Sequence, residues 1–214
     1  MPTPAIKICG INTAAALDAA IRARADHAGF VFFARSPRHV DGAQAAILGA
    51  RAEGRIGKVG LFVDADDALL GEAVGAASLT AIQLHGAETP QRAASIRARF
   101  GLPVWKALSV TSAADVARAG AYAGAADLVL FDAKTPAGTL PGGMGLSFDW
   151  SLVAGWKGPL AWGLAGGLTP GNVAEAVRMT GTPLVDTSSG VETAPGVKDE
   201  SLIAAFCRAA RAEG

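Results

Sequence analysis

Eight short apolar runs recur along this chain, and each is followed by a polar or glycine break and an alanine-rich amphipathic stretch. Apolar runs of this length, rich in β-branched residues, are typical of buried strands, whereas the stretches between them have helical character. The runs cover residues 5–11, 28–33, 58–63, 81–86, 104–110, 127–133, 159–167 and 183–190. This alternation predicts repeated strand–helix units from one end of the chain to the other.

The stretches between the runs predict helices, because three of them begin with a threonine that can cap a helix. Thr13 precedes one such stretch. Thr89 and Thr169 each precede a proline, which suits the first position of a helix. A final helix with one apolar stripe is predicted over residues 199–211.

Alternating strands and helices imply a parallel sheet, because parallel strands need long crossover connections. Eight units in 214 residues favour a single (β/α)8 TIM barrel over residues 1–214. The alternative is an open doubly wound sheet, but no G-x-G-x-x-G pattern follows the first run. The longest irregular segment, 134–147, is interpreted as either an active-site lid or a floppy surface loop.

Charge and cysteine content exclude several classes of function. Basic and acidic residues number 19 each, which argues against a nucleic-acid partner and against a membrane partner. The first ten residues lack the features of a signal peptide, and no apolar run is long enough to span a membrane, so a cytoplasmic location is expected. Three histidines and two distant cysteines form no zinc motif, and no metal site is predicted.

The working residues of such a barrel lie at the carboxyl ends of the strands and in the loops that follow. Cys9 ends the first run, although an isolated cysteine is more often a buried apolar side chain than a base. Arg35 and Arg38 follow the second run. Two arginines at this position could hold a carboxylate bidentately, although arginines after a strand are usually solvated.

Three more polar residues occupy strand ends. His85 is expected to support the site rather than to react. Lys106 could form a Schiff base, but a structural ion pair is the better interpretation. Asp132 closes an apolar run, where a carboxylate is costly unless it is paired or lies at the barrel mouth, so a functional role is as plausible as a structural one.

Two glycine-rich turns follow the last two runs and predict a phosphate site. Barrel enzymes often bind phosphate there through exposed backbone amides and hydroxyl groups. The residues concerned are Gly166, Gly167, Ser188, Ser189 and Gly190. One thiol, one carboxyl group, an arginine and a phosphate site suit acid–base chemistry on a small phosphorylated molecule, without a cofactor.

Seven sequence blocks, in order, resemble the phosphoribosylanthranilate isomerase family of tryptophan biosynthesis. They are KICGI (7–11), FVFFARSPRHV (30–40), QLHG (83–86), LFDAK (130–134), GGMGLSFDW (142–150), LAGGLTPGNV (164–173) and VDTSSGVE (185–192). The resemblance covers essentially the whole chain and implies an Amadori rearrangement of N-(5-phosphoribosyl)anthranilate to the open-chain carboxyphenylamino-deoxyribulose phosphate.

The same resemblance implies a role for each site residue. Asp132 would be the general acid and Cys9 the general base, with positive charge near the thiol lowering its pKa. Arg38 would hold the anthranilate carboxylate, Asp186 the sugar hydroxyls, and His85 would belong to the substrate-binding set. The residues Gly166, Gly167, Ser188, Ser189 and Gly190 would bind the phosphate. The protein is expected to be a monomer or a homodimer.

Three alternatives stay open. A bifunctional isomerase of histidine and tryptophan synthesis performs the same rearrangement, but that family has a carboxylate where this chain has Cys9. Indoleglycerol-phosphate synthase needs catalytic lysine and glutamate residues that Lys106 alone does not supply. A non-catalytic phosphate-sugar-binding barrel or a thiol redox protein is the third; redox chemistry would need a cysteine nearer than Cys207.

Overall fold

A computed structural model describes residues 3–133 and 147–212, and its main feature is a closed barrel of eight parallel strands. The strands are β1 (Ala5–Cys9), β2 (His27–Val31), β3 (Gly57–Phe62), β4 (Ala81–Leu84), β5 (Val104–Val110), β6 (Leu128–Ala133), β7 (Ala161–Leu164) and β8 (Leu184–Thr187). Neighbours in the barrel follow chain order, and β1 pairs with β8 to close it, with Ile6 opposite Val185. The (β/α)8 barrel predicted from the sequence is confirmed.

Helices surround the barrel. They are α1 (Ala14–Arg22), α2 (Gly42–Ala52), α3 (Asp67–Ala77), α4 (Pro90–Phe100), α5 (Ala113–Ala117), α6 (Val173–Thr180) and α7 (Glu200–Arg211). Short 3-10 helices cover Arg118–Tyr122, Trp150–Leu152 and Ser189–Val191, and a small hairpin follows the last of them, with strands β9 (Glu192–Ala194) and β10 (Val197–Lys198). No helix in the described ranges is long and apolar enough to cross a membrane.

Two of the three predicted threonine caps are present, and one prediction was wrong. Thr13 and Thr89 accept hydrogen bonds from the first turns of α1 and α4. Thr169 caps no helix, because α6 begins only at Val173. The backbone N–H of Thr169 donates instead to Asn172 Oδ1 at 2.8 Å, and the side chain of Asn172 also reaches the Gly167 carbonyl at 3.0 Å. These bonds hold residues 167–172 as a loop, so that α6 begins only after them.

Side chains alternate along each strand between the barrel interior and the surrounding helices. On β1, Ile6 and Ile8 pack into the large core between strands and helices, so Lys7 and Cys9 face the interior. The lower interior, near the amino ends of the strands, is an apolar cluster formed by Val59, Ala81, Trp105, Ala107, Leu130 and Leu184. The upper interior, near the carboxyl ends, carries the polar side chains that form the site. The segment 134–147, interpreted as a lid or a surface loop, lies outside the described residues except for its last position.

Candidate active site

A buried ion pair lies in the upper interior beneath the barrel mouth. The ammonium group of Lys7 is fully buried and donates to Asp186 Oδ2 at 2.7 Å. Burial alone would lower the pKa of Lys7, but the charges and hydrogen bonds of Asp186 and Cys9 together outweigh it and raise that pKa, so Lys7 stays protonated. The second oxygen of Asp186, Oδ1, is buried and has no hydrogen-bond partner among the described residues. It is therefore a ready acceptor for a ligand hydroxyl.

Cys9 ends β1 beside this ion pair, and its side chain faces the interior. The thiol is free, as is that of Cys207. Burial raises the pKa of Cys9, and the positive charges of Lys7 and Lys198 oppose that rise without cancelling it. The predicted lowering of the pKa of the thiol was therefore wrong, because desolvation outweighs the nearby cations. The two cations nevertheless reduce the cost of forming a buried thiolate at Cys9.

Asp132 lies on β6 and contacts His85, which follows β4. His85 Nε2 is 3.2 Å from Asp132 Oδ2, and the backbone N–H of Ala133 donates to Asp132 Oδ1 at 2.8 Å. Gln83 Nε2 lies 3.3 Å from the other ring nitrogen of His85. With the Gln83 amide as donor, His85 carries its proton on Nε2 and directs it at Asp132. Asp132 and His85 also act electrostatically on Asp186, so all three share the upper interior.

The two glycine-rich turns lie next to each other above β7 and β8. Thr187 at the end of β8 donates to the carbonyl of Leu168 at 2.7 Å, which joins the turns. Gly166 has a φ of +84°, and a Cβ there would come within 2.9 Å of Asp132 Oδ1. The turn can therefore pass this close to Asp132 only with glycine at position 166. No described residue accepts a hydrogen bond from the backbone N–H of Gly166 or Gly167. Such N–H groups suit an anionic ligand.

Arg38 folds inward from the loop after β2 and is largely buried. Its Nε and Nη2 donate to Glu192 Oε1 and Oε2 at 2.8 and 2.7 Å, a bidentate ion pair. Lys198 Nζ donates to the same carboxylate at 2.6 Å and to the backbone carbonyl of Ser188 at 2.9 Å. The arginine and the second predicted phosphate turn are therefore linked through the β9–β10 hairpin.

Sequence reasoning missed three charged residues of this site, namely Lys7, Glu192 and Lys198. Lys7 could have been found from the alternation in the first run, since Lys7 and Cys9 are two apart and share a face. The Pro195–Gly196 turn signalled a hairpin in the segment that carries the other two. The pairing of Glu192 with Arg38, by contrast, joins residues 154 positions apart and has no local signal.

Lys106 takes the structural role that the sequence favoured. Its ammonium group donates to Glu88 Oε2 at 2.8 Å and to the Gly86 carbonyl at 2.6 Å. Glu88 also accepts from the backbone N–H groups of Asp64 and Gly86. This buried network holds the loop that follows His85, and with its donors so occupied Lys106 is unsuited to covalent catalysis.

Comparison with known proteins identifies the family. The family model described as N-(5'-phosphoribosyl)anthranilate (PRA) isomerase matches residues 6–209. The chain belongs to the phosphoribosylanthranilate isomerase family. It is 55% identical over 207 residues to N-(5'-phosphoribosyl)anthranilate isomerase of Paramagnetospirillum magneticum, with 96% of each chain covered. It is 56% identical over 208 residues to that of Rhodopseudomonas palustris strain BisB18, covering 97% of this chain and 95% of the relative.

Solved structures of phosphoribosylanthranilate isomerases have the same architecture. The enzyme of Thermotoga maritima superposes with a TM-score of 0.87 at 33% identity, covering 97% of this chain and 98% of that one. A phosphoribosylanthranilate isomerase in complex with reduced 1-(o-carboxyphenylamino)-1-deoxyribulose 5-phosphate superposes with a TM-score of 0.84 at 31% identity, with 97% and 98% covered. The predictions of an isomerase and of the tryptophan-biosynthesis family are confirmed.

Proposed function

We propose that this chain converts N-(5-phosphoribosyl)anthranilate to 1-(2-carboxyphenylamino)-1-deoxyribulose 5-phosphate, with Asp132 as general acid and Cys9 as general base. The observation that carries the proposal is the convergence of both side chains on the upper interior, around the Lys7–Asp186 ion pair. The rearrangement needs an acid and a base in one pocket and needs no external oxidant, because C1 and C2 of the sugar exchange oxidation levels.

The acid step opens the ribose ring. Asp132 donates a proton to the ring oxygen, the bond from C1 to that oxygen breaks, and the nitrogen lone pair forms an iminium ion at C1. His85, 3.2 Å away, hydrogen-bonds the carboxyl group and keeps it oriented as it gives up the proton. Gly166 leaves space for the sugar beside the acid, since a Cβ there would crowd Asp132 Oδ1.

The base step moves the hydrogen of C2. The Cys9 thiolate removes that proton, the C2–H electron pair forms the C1–C2 double bond, and the iminium nitrogen is neutralised to an enolamine. Protonation at C1 and loss of the C2 hydroxyl proton then give the ketone. Because the iminium makes the C2 proton acidic, a thiolate held by the charges of Lys7 and Lys198 is a sufficient base. Asp186 Oδ1 is available to accept from a sugar hydroxyl.

The two anionic ends of the substrate suit the two positive regions of the site. A related isomerase binds a ligand that carries a benzoate at one end and a phosphate at the other. Here Arg38 would hold the carboxylate, with its Nε–Nη2 edge fixed by Glu192. The phosphate would lie on the backbone N–H groups of Gly166 and Gly167 and against Ser188, Ser189 and Gly190.

A fluorescence assay that follows consumption of freshly generated phosphoribosylanthranilate tests the proposal. We expect turnover without added metal or cofactor, and a substrate deuterated at C2 to be converted more slowly as long as proton removal limits the rate. The control substrate is the phosphoribosylformimino derivative of aminoimidazole carboxamide ribonucleotide, which carries the ribosylamine that rearranges in histidine synthesis. Turnover of that control would contradict a monofunctional isomerase, and no turnover of phosphoribosylanthranilate would contradict the proposal itself.

A further inference from the structure

Three buried charges, those of Arg38, Glu192 and Lys198, form a continuous chain beside the site. The two oxygens of Glu192 accept from Arg38 at 2.8 and 2.7 Å, and Oε1 accepts from Lys198 Nζ at 2.6 Å. The side chains of Glu192 and Lys198 are only 3% and 1% exposed. A carboxylate removed from water to this extent is stable only with well-aligned partners, so its geometry is tightly specified.

The chain of charges continues to the second phosphate turn. Lys198 Nζ donates to the Ser188 carbonyl at 2.9 Å and lies 3.2 Å from the Ser188 hydroxyl oxygen. An ammonium group has three N–H donors, and here all three have acceptors, one on Glu192 and two on Ser188. The position of Ser188 therefore depends on Lys198, and that of Lys198 on Glu192.

Gly10 provides a second, independent link between the same two regions. Its φ is +78°, and a Cβ there would come within 2.6 Å of Arg38 Cδ and 3.1 Å of Ser188 Oγ. The stem of Arg38 and the hydroxyl of Ser188 thus both lie against the residue that follows Cys9. The carboxylate-binding and phosphate-binding side chains meet at one point beside the base.

We propose that Glu192 and Lys198 are positioning residues that hold Arg38 and the Ser188 turn in the geometry needed to bind the two anionic ends of the substrate. The proposal rests on the assignments of Arg38 to the carboxylate and of the Ser188 turn to the phosphate. Burial alone would raise the pKa of Glu192, but the hydrogen bonds and charges of Arg38 and Lys198 outweigh it and lower that pKa. Glu192 is therefore negatively charged, although the side chains that it holds belong to a site that binds anions.

Because Glu192 is negatively charged, the direction in which its neutralisation changes the affinity for anions distinguishes two explanations of its role. If Glu192 acted on the substrate only through its charge, its neutralisation would remove a repulsion and strengthen the binding of anions. If it positions Arg38 and Lys198, its neutralisation releases both side chains and weakens the binding of both anions. The two explanations predict opposite changes in affinity from a single substitution.

The experiment measures anthranilate and inorganic phosphate separately as inhibitors of phosphoribosylanthranilate turnover. In Glu192→Gln we expect each inhibition constant to rise about tenfold and KM to rise by about tenfold or more, because the substrate carries both anions. We expect kcat to fall less than about threefold. An uncharged partner holds each cation with about 1.4 kcal/mol less free energy. Glu200→Gln is the matched control, because Glu200 also pairs with an arginine, Arg22, but on the exposed surface. That control leaves all four constants unchanged.

Glu192→Asp is the second variant, because it retains the charge and withdraws the carboxylate by one methylene. We expect both inhibition constants to rise in it too, by less than in Glu192→Gln. Inhibition constants that fall in Glu192→Gln, or that stay unchanged in either variant, overturn the proposal. If Arg38→Ala also leaves the anthranilate constant unchanged, the assignment of Arg38 fails; if Arg38→Ala weakens anthranilate and the Glu192 variants do not, only the positioning role fails.

Discussion

The lower and upper layers of the barrel interior come from the same strands yet differ in chemistry. On β6, Leu130 lies in the apolar lower cluster, and Asp132, two residues further on, contacts His85 at the mouth. On β8, Leu184 lies in the lower cluster, and Asp186 lies in the upper layer, where it pairs with Lys7. Because successive inward positions climb toward the carboxyl end of a strand, a shift of two residues changes the environment from packed hydrocarbon to a cluster of charges.

The comparison separates stability from reactivity within single strands. The lower cluster fills the barrel and stabilises it by excluding water. The upper layer contains a lysine that is fully buried and an aspartate that is 7% exposed, and desolvating such charges costs several kcal/mol per ion even when they are paired. We therefore expect the upper layer to serve chemistry, while the lower layer together with the helix-facing core offsets its cost.

The largest expected effect is loss of catalysis from the upper layer. Asp132→Asn and Cys9→Ser should each lower kcat by about a thousandfold or more, since general acid or base catalysis contributes roughly 10²–10⁴-fold and here both steps depend on one residue each. Steady-state kinetics and thermal unfolding check this together. Either variant with near-normal kcat would contradict the mechanism, whereas the Tm of both should stay close to that of the parent chain.

The matching change in the lower layer should reduce stability and leave kcat nearly unchanged. Leu130 is fully buried on the same strand as Asp132, so Leu130→Ala should lower the free energy of unfolding by about 2–5 kcal/mol through lost burial and a cavity. Urea denaturation measures this loss, and kcat per folded molecule should change little. Met179→Ala, at a position 47% exposed, is the control and should stay within about 0.5 kcal/mol. A stable Leu130→Ala with impaired kcat would remove the distinction between the layers.

Substitution of the two arginines after β2 tests whether Arg38 binds the anthranilate carboxylate. Arg38→Ala should raise KM for the anthranilate-bearing substrate about tenfold, the equivalent of about 1.4 kcal/mol of lost binding, with a smaller effect on kcat. Arg35→Ala is the control, because Arg35 is exposed and lies over the ring of Phe33 at 5.0 Å. Equal KM values for the two variants would refute the assignment of the carboxylate to Arg38.

The smallest effect is a displacement in pH. The thiolate form of Cys9 accumulates as pH rises through the pKa of the thiol, and the cations of Lys7 and Lys198 lower that pKa whereas Asp186 raises it. Lys7→Met removes the cation that lowers the pKa of Cys9 most, so that pKa should rise. The rise of kcat/KM should move to higher pH by about one unit, equivalent to about 1.4 kcal/mol.

Alkylation by iodoacetamide measures the same displacement without substrate. Its rate follows the thiolate fraction of Cys9, and Cys9→Ser provides the background from Cys207, which is buried and whose pKa burial raises to about 11. A shift to lower pH, or no shift, would mean that Lys7 does not stabilise the thiolate.

Much of the fold and part of the site could be predicted from local pattern. The apolar runs and the caps at Thr13 and Thr89 specify strands and helices that the structure confirms. The predicted cap at Thr169 was wrong because a competing turn forms within the same few residues: the backbone N–H of Thr169 and the carbonyl of Gly167 both bond to the side chain of Asn172. Local propensity was right wherever no tertiary or loop contact competed with it.

The sequence by itself determined the order of the elements, their period and hence the barrel, with Cys9 and Asp132 at strand ends. These features depend on hydrophobic alternation, which acts between residues close in the chain. Only the tertiary structure decided the electrostatics, namely the pairing of Lys7 with Asp186 and of Arg38 with Glu192, and the balance of burial against charge at Cys9. Ion pairs and desolvation depend on distances and water exclusion that exist only after the barrel has closed.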